Sequence, residues 1–282
     1  MKILLKALFS LGIVLFILGC CELFAWTQMR HNIYDGDSGY FWQLKPNLDQ
    51  QIANGSHPFQ LTTNSLGFRD TELTSKPVWL FLGCSTTLGW GVEQEHTFLH
   101  LLQQEIGDTI DIVNAGQPGW SSVQVLHDIS RLQSLNPTLV VIGLGVRDAQ
   151  RSFVEDKYAT PTPWLFRRHL FQWLQQIKGQ SAGNSSKGTV ELPTFRVLPD
   201  DFQQNLSMIV KAFPKADVLL YQFPQVTYSP DHALVLEEMD ALQPPAFTAE
   251  AFFVDDPIHL NPQGHRQLAN WLMDTLKVST QD

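Results

Sequence analysis

The sequence predicts an α/β fold in which helices cover both faces of a mostly parallel sheet. Short apolar runs typical of buried strands alternate with segments whose apolar residues recur at helical spacing. The chain has 282 residues, 44% of them hydrophobic, which suffices for one well-filled globular domain with additional segments. In sheets of this kind, binding sites form at the carboxyl ends of the strands.

The strands and helices of this fold begin after Pro77. Five apolar runs are predicted as strands: residues 78–82, 110–113, 139–142, 218–221 and 252–254. Residues 97–106 and 122–132 have the spacing of amphipathic helices. Asn261 is predicted to cap a closing helix with Pro262 in its first turn. The pattern therefore predicts a mostly parallel, five-stranded sheet.

The first 26 residues are predicted to be a membrane segment. Lys2 and Lys6 precede the uncharged run 7–21, and the apolar character continues past Glu22 to Trp26. This pattern is typical of a signal anchor that leaves the globular part outside the cytoplasm, in the periplasm or at the cell surface. Two alternatives stay open. Residues 17–20 resemble the lipobox of a lipoprotein lipidated at Cys20, and the signal can also be cleaved.

The rest of the chain divides into an extension, residues 27–76, and a main domain, residues 77–278. The extension is predicted to be strand-rich, with short strands at 40–44 and 59–63. Residues 150–196 form an insertion in the main domain. Its aromatic-rich helical stretch, 164–174, is expected to pack in the core, with a lid or a membrane-facing surface as alternatives.

Charge and cysteine content argue against several classes of function. The net charge is −9 and no long basic run occurs, so nucleic acid is not an expected partner. Cys84 is the one cysteine outside the apolar N-terminus, which rules out a disulfide within the globular part. No cysteine and histidine pattern suggests a metal site, and no cofactor is implied.

Two segments at the predicted carboxyl edge carry the chemistry of nucleophilic catalysis. Ser85 follows the first apolar strand directly, where its own N–H can face a developing oxyanion. Asp256 and His259 lie just before the closing helix. A serine nucleophile needs an imidazole to take its proton, and the imidazole needs an acceptor to fix its tautomer. Ser85 is therefore predicted as nucleophile, His259 as base and Asp256 as the orienting acid. Asp255 is a weaker candidate for that acid, and His265 is expected at the surface.

These segments resemble the sequence blocks of the SGNH (GDSL-like) hydrolases. The blocks correspond to residues 81–92, 114–116, 145–148 and 256–265, and residues 64–69 resemble a segment that precedes the domain in anchored members. The resemblance runs from about residue 78 to residue 276. It implies a flavodoxin-like, three-layer α/β/α sandwich that hydrolyses or transfers acyl esters, with the Gly116 N–H as an oxyanion donor.

Two residues depart from the family pattern. Cys84 replaces an aspartate that is mostly structural in the family, and it is expected to be a buried thiol and not a nucleophile. Arg147 replaces an asparagine that donates to the oxyanion. A guanidinium can stabilise negative charge there, or it can turn away and pair with Asp148 or another acid.

The predicted function is a serine esterase that hydrolyses a short-chain acyl ester, above all an O-acetyl ester, of a small molecule or glycan. Two alternatives stay open. An extracytoplasmic polysaccharide O-acyltransferase would use the same residues with a sugar hydroxyl as acceptor. A catalytically degenerate carbohydrate-binding domain is the other alternative, motivated by Cys84 and Arg147.

Overall fold

The computed structural model describes residues 2–28, 32–35, 42–158, 192–224 and 228–277. These residues fall into two compact units. Residues 2–28, 32–35 and Trp42 belong to the first unit, and the described residues from Gln43 onward belong to the second. The aromatic-rich stretch at 164–174 lies outside the described residues.

The first unit is dominated by helix α1, Lys2–Gln28. Its segment Phe9–Thr27 has a mean hydropathy of 2.1, and it is the one helix among the described residues that is long and apolar enough to cross a membrane. Large apolar side chains such as Phe9 and Phe16 are mostly exposed along it. Strand β1, Tyr34–Asp35, follows in the same unit.

The second unit contains the remaining described strands and helices. The strands are β2 Gln43–Leu44, β3 Asp49–Ile52, β4 Phe59–Thr62, β5 Val78–Gly83, β6 Asp111–Gly116, β7 Leu139–Gly143, β8 Arg151–Ser152, β9 Thr194–Phe195 and β10 Asp217–Leu220. The helices are α2 Ser85–Leu88, α3 Phe98–Ile106, α4 Ser122–His127, α5 Ile129–Ser134, α6 Pro199–Ala212, α7 Pro230–Glu238 and α8 Pro262–Leu276. Short 3₁₀ turns occur at Gln94–His96, Asp156–Tyr158 and Ala249–Ala251.

The main sheet is parallel and, in the described part of the chain, has four strands in the order β10-β7-β5-β6. Its register pairs Gly83 with both Gly116 and Gly143, so the three strands end level at one edge. β5 and β7 are almost entirely buried, whereas the edge strand β10 is partly exposed. The four apolar runs predicted as core strands are confirmed.

The prediction of a fifth strand at residues 252–254 is wrong. Phe252 makes a single antiparallel bridge to Leu260 instead, and Tyr221 makes a single parallel bridge to Leu242 just past the end of β10. Phe252 and Phe253 are nevertheless buried. A buried loop and a short buried strand leave the same apolar run in a sequence, and this segment is the loop.

The helices form two groups that complete the α/β/α layering. α3 packs on α8, and Phe98 at the start of α3 meets Phe81 of β5 edge to face. α6 packs on α4, α5 and α7. The helix predicted at 122–132 is divided into α4 and α5 at Asp128. The predicted cap of α8 is confirmed, since the Asn261 side chain accepts hydrogen bonds from the N–H groups of Gln263 and Gly264.

A hairpin of β3 and β4 precedes the main sheet in the chain. The prediction of a strand at 59–63 is confirmed by β4, and β2 corresponds to the last part of the strand predicted at 40–44. β3 was not predicted, because Asp49-Gln50-Gln51 has no apolar alternation. The hairpin places residues 53–58 near the loop that precedes α8, as described below.

Candidate active site

Ser85 lies at the carboxyl edge of the sheet, two residues past the end of β5. It is the first residue of α2 and is only 3% exposed. Gly83 permits this turn, since a Cβ atom there would lie 2.0 Å from Thr87 Oγ1. The Ser85 N–H begins the helix and has no acceptor among the described residues. Ser85 therefore presents its hydroxyl and its own backbone N–H, a donor without an acceptor among the described residues, at one edge of the sheet.

Three of the predicted site residues come together in one hydrogen-bonded chain. His259 Nε2 lies 2.9 Å from Ser85 Oγ, and His259 Nδ1 lies 2.7 Å from Asp256 Oδ2. A carboxylate accepts, so Nδ1 carries the proton and Nε2 is left to accept from the serine hydroxyl. Asp256 and His259 share a tight turn in which the His259 N–H donates to the Asp256 carbonyl. Ser85 and the Asp256–His259 turn thus lie within the hydrogen-bond distance that proton transfer requires.

The surroundings of His259 favour its neutral form. Burial lowers the pKa of the His259 imidazole below the ordinary value of 6.5, and the positive charge of Arg147 lowers it further. The Asp256 carboxylate opposes both effects, but burial is the largest cause of the shift. The imidazole is therefore unprotonated, and able to accept a proton, at neutral pH.

Arg147, four residues past the end of β7, turns toward Ser85. Its Nη2 lies 3.4 Å from Ser85 Oγ, and its Nη1 donates to the Gln150 side chain at 3.2 Å. The predicted alternative of pairing with Asp148 is not what the structure shows. Asp148 is fully buried and accepts from the N–H groups of Ser122 and Gly145. Burial raises the pKa of the Asp148 carboxyl, while these hydrogen bonds oppose the shift.

Gly116, the oxyanion donor implied by the family resemblance, has its N–H engaged elsewhere. It donates to Asn114 Oδ1 at 3.1 Å. The absence of a side chain matters at this position because a Cβ atom would lie 2.4 Å from the backbone nitrogen of Leu88 in α2. Gly116 therefore allows the close approach of α2 to the end of β6.

Gly119 was not singled out from the sequence. It lies in the turn after β6, has a left-handed backbone with φ of 79°, and has an N–H without an acceptor among the described residues. Arg196 Nη1 donates to its carbonyl at 2.7 Å, and Arg196 is itself held by Asp156 through two hydrogen bonds. The sequence signal for this residue is the Pro-Gly pair that ends Asn-Ala-Gly-Gln-Pro-Gly. Glycine after proline is typical of a turn that needs a positive φ at the glycine.

Arg69 fixes the loop that follows helix α2. Its guanidinium is buried and donates to the carbonyl oxygens of Gly89 and Val92, both at 2.6 Å. It also lies over the Phe59 ring of β4 at 5.1 Å. Burial lowers the pKa of the Arg69 guanidinium to about 10, so it remains charged at neutral pH. The sequence indicated segment 64–69 but not this function of its arginine.

The β3–β4 hairpin also contacts the loop that carries Asp256 and His259. His57 Nε2 lies 2.7 Å from Asp255 Oδ1, and Ser56 donates to Asp255 Oδ2 at 2.6 Å. The His57 ring stacks on Phe253 with a centroid distance of 4.0 Å. Asp255, the weaker candidate for the orienting acid, is therefore bound to the hairpin and not to His259.

Cys84 and His265, the remaining residues with a sequence prediction, are both buried. Cys84 is buried as expected, with its sulfur 3.2 Å from Thr86 Oγ1. The expectation of a surface position for His265 is wrong: it is 1% exposed and accepts from the Phe98 N–H. Among the described residues, no group of three or more His, Cys, Asp or Glu side chains is placed to hold a metal ion.

Comparison with known proteins agrees with the family resemblance. The profile of the GDSL-like lipase/acylhydrolase family matches residues 81–267. A search of curated proteins returned no match. Among solved structures, the chain is similar to a G-D-S-L family protein from Desulfitobacterium hafniense, with 14% identity, coverage of 71% of this chain and 99% of that chain, and a TM-score of 0.47.

Two further solved structures are similar to the chain at the same level. One is a lipase/acylhydrolase from Enterococcus faecalis, with 14% identity, coverage of 73% and 99%, and a TM-score of 0.47. The other is a carbohydrate acetylesterase from Sinorhizobium meliloti, with 16% identity, coverage of 72% and 99%, and a TM-score of 0.43. Because the family profile covers well over half of the sequence, this chain belongs to the GDSL-like lipase/acylhydrolase family.

Proposed function

We propose that the chain is a serine esterase that hydrolyses short-chain acyl esters, O-acetyl esters above all. The observation that carries this proposal is the unbroken chain from Ser85 Oγ through the His259 imidazole to Asp256 Oδ2, with contacts of 2.9 and 2.7 Å. Membership of an ester-hydrolysing family supports the same reaction class. The fold alone would not, because one fold hosts many functions.

The reaction proceeds in two acyl-transfer steps. His259 Nε2 takes the proton of Ser85, whose oxygen forms a bond to the ester carbonyl carbon. Asp256 holds the Nδ1 proton in place and stabilises the imidazolium. The imidazolium then gives its proton to the departing alcohol as the ester bond breaks. Water, activated by the same imidazole, releases the acyl group from Ser85 as a carboxylic acid.

The developing oxyanion needs donors at the same edge of the sheet. The Ser85 N–H has no other acceptor in the described structure, and Arg147 Nη2 already reaches the nucleophile oxygen. The Gly119 N–H, in the turn after β6, is a candidate for the third donor in place of Gly116, whose N–H is engaged by Asn114. One such donor typically contributes about 10²–10³ in kcat.

The acceptor in the second step decides between an esterase and a polysaccharide O-acyltransferase. Both enzymes use the same three residues, so these residues do not identify the acceptor. We assign water as the acceptor because it needs no second binding site. The assembled triad favours either enzyme over a binding domain without activity. Acetyl transfer to an added oligosaccharide, measured against release of free acetate, separates the two enzymes.

Helix α1 anchors the chain in a membrane with the site outside the cytoplasm, in this proposal. The helix spans about 40 Å at 1.5 Å per residue, which exceeds the ~30 Å of a bilayer core. Only 6% of its apolar window is buried, so core packing does not account for it. Exposed Cys20 keeps lipidation as the alternative mode of attachment. Mass spectrometry of Cys20 in membrane extracts distinguishes the two.

The test compares the wild type, Ser85→Ala and Cys84→Ala, each as full-length protein in detergent. We expect the wild type to hydrolyse p-nitrophenyl acetate and to react with a fluorophosphonate, and Ser85→Ala to do neither. Cys84→Ala should retain both reactions, because its thiol is buried against Thr86. Loss of turnover in Cys84→Ala with retention in Ser85→Ala would instead assign the nucleophile to the thiol.

A further inference from the structure

We propose that the site selects esters that carry a carboxylate a few bonds from the scissile carbonyl, with Arg147 as the residue that binds this anion. An O-acyl ester of a hydroxy acid or of a sugar acid is such a substrate. This inference rests on the esterase activity proposed above and specifies its substrate class.

The guanidinium of Arg147 lies directly beside the Ser85 hydroxyl. Arg147 is partly buried in the loop after β7, and Nη2 lies 3.4 Å from Ser85 Oγ. Nη1 donates to the Gln150 side chain, while Nε is buried and has no hydrogen-bond partner among the residues that the structure describes. A donor this close to the nucleophile can contact only those substrate atoms that lie next to the reacting ester.

The charge of Arg147 is not balanced by a carboxylate of the described residues. In the part of the chain that the structure describes, no carboxylate forms an ion pair with it. The next residue in the chain, Asp148, accepts from backbone N–H groups, and Asp256 of the hydrogen-bonded chain contacts His259. Asp255, which precedes Asp256, contacts Ser56 and His57. A partly buried cation without a counter-ion has lost solvation that a bound anion would replace.

A substrate carboxylate uses the charge of Arg147 differently from the oxyanion of the reaction. An oxyanion exists only in the transition state, and a neutral donor suffices to stabilise it. A guanidinium carries its full charge before the reaction starts, so it attracts an anion in the ground state as well. The chain has a net charge of −9, so its overall charge does not attract anions, and an attraction at the site has to come from a local cation such as Arg147. Anion selectivity should consequently depend on this one residue.

The kinetic test uses a matched pair of esters, O-acetyllactate and O-acetyllactamide, which differ in the charge of one group. Acetate release is measured with full-length protein in detergent, and the ratio of kcat/KM for the two esters is the readout. We expect the wild type to favour the anionic ester by about 10-fold or more, Arg147→Lys to retain part of this preference, and Arg147→Gln to lose it. If Arg147 stabilises only the oxyanion, Arg147→Gln lowers kcat/KM for both esters by the same factor. The ratio of the two kcat/KM values then stays unchanged, which overturns the proposal.

A binding measurement keeps the inference independent of turnover. In Ser85→Ala, NMR titration gives the dissociation constants of both esters without hydrolysis at this residue. We expect the anionic ester to bind about 10-fold more tightly, and the double variant with Arg147→Gln to bind both alike. Equal dissociation constants in Ser85→Ala contradict the inference. Failure of the proposed esterase function appears separately, as a wild type that no fluorophosphonate labels. Circular dichroism spectra of each variant check that the fold is intact.

Discussion

Arg69 Nη1 donates to the carbonyl oxygen of Gly89 at 2.6 Å, and so joins the segment before β5 to the loop after helix α2. A second hydrogen bond of the same length reaches the Val92 carbonyl. Backbone carbonyls buried in a loop lack the regular partners of a helix or strand. Arg69 provides a donor to the Val92 carbonyl and a shorter hydrogen bond to the Gly89 carbonyl than the 3.4 Å one from the Val92 N–H. Residues that precede the sheet in the chain therefore help to hold the site.

Replacement of Arg69 with methionine should destabilise the protein. The Val92 carbonyl loses the donor that Arg69 provides, at a cost of about 1–3 kcal/mol, and the Gly89 carbonyl loses a hydrogen bond worth about 1 kcal/mol but keeps a longer one, at 3.4 Å, from the Val92 N–H. We therefore expect the free energy of unfolding to fall by about 2–4 kcal/mol in urea denaturation. The control is Arg266→Met at an exposed position of α8, where we expect a change below about 0.5 kcal/mol. Equal stability of the two variants would show that Arg69 does not hold the loop.

The two adjacent acids before α8 should respond differently to substitution. Asp256→Asn keeps the size of the side chain but no longer fixes the His259 tautomer, so we expect kcat on p-nitrophenyl acetate to fall by about 10²–10⁴-fold. Asp255→Asn loosens only the contact with His57 on the hairpin and should change kcat by less than about 10-fold. A larger loss in Asp255→Asn than in Asp256→Asn would reverse the assignment of the orienting acid.

The pH dependence of activity should reflect the environment of His259. Only the neutral imidazole accepts the serine proton, so activity falls when the pH drops below the pKa of His259. Burial and the charge of Arg147 lower this pKa, so we expect the acid limb of kcat/KM below pH 6.5. Arg147→Gln removes one of the two lowering effects and should move that limb to higher pH. The pH profile of p-nitrophenyl acetate hydrolysis measures both, and an unmoved limb would exclude Arg147 as a cause.

His265 should contribute to acid sensitivity of the fold. Burial lowers the pKa of His265 to about 3, from an ordinary value of 6.5. Between these two pH values the unfolded chain binds a proton that the folded chain does not, so stability falls as the pH falls from about 6.5 toward about 3. His265→Asn keeps an acceptor for the Phe98 N–H and does not titrate. Urea denaturation across this range should show a smaller slope of stability against pH for the variant than for the wild type.

The strands were predictable where burial is complete. Residues 78–82 and 139–142 are continuous apolar runs because both faces of β5 and β7 are covered. The same reasoning failed at Phe252 and Phe253, which are buried in a loop. β3 escaped prediction because its residues, Asp49-Gln50-Gln51-Ile52, carry no alternation and are partly or fully exposed. An apolar run indicates that a segment is buried. It indicates a strand or a helix only when the run is long enough to exclude a buried loop.

The site was predictable to the extent that local sequence carries the chemistry. Ser85 and the Asp256–His259 turn were recognisable from their residue types and their places beside predicted elements. The contacts of Arg69 with Gly89 and of His57 with Asp255 depend on packing between distant segments, which no local pattern records. The same is true of Gly116, since the contact between its N–H and the Asn114 side chain became visible only in the fold.

The most direct measurement maps the site of fluorophosphonate attachment. Full-length protein in detergent is labelled and digested, and the modified peptide is sequenced by mass spectrometry. We expect the label on Ser85, and we expect it to be absent when His259 is replaced with alanine, because the imidazole takes the serine proton. A label on any other residue, or equal labelling of the His259→Ala variant, would contradict the proposal that Ser85 is a nucleophile activated by His259.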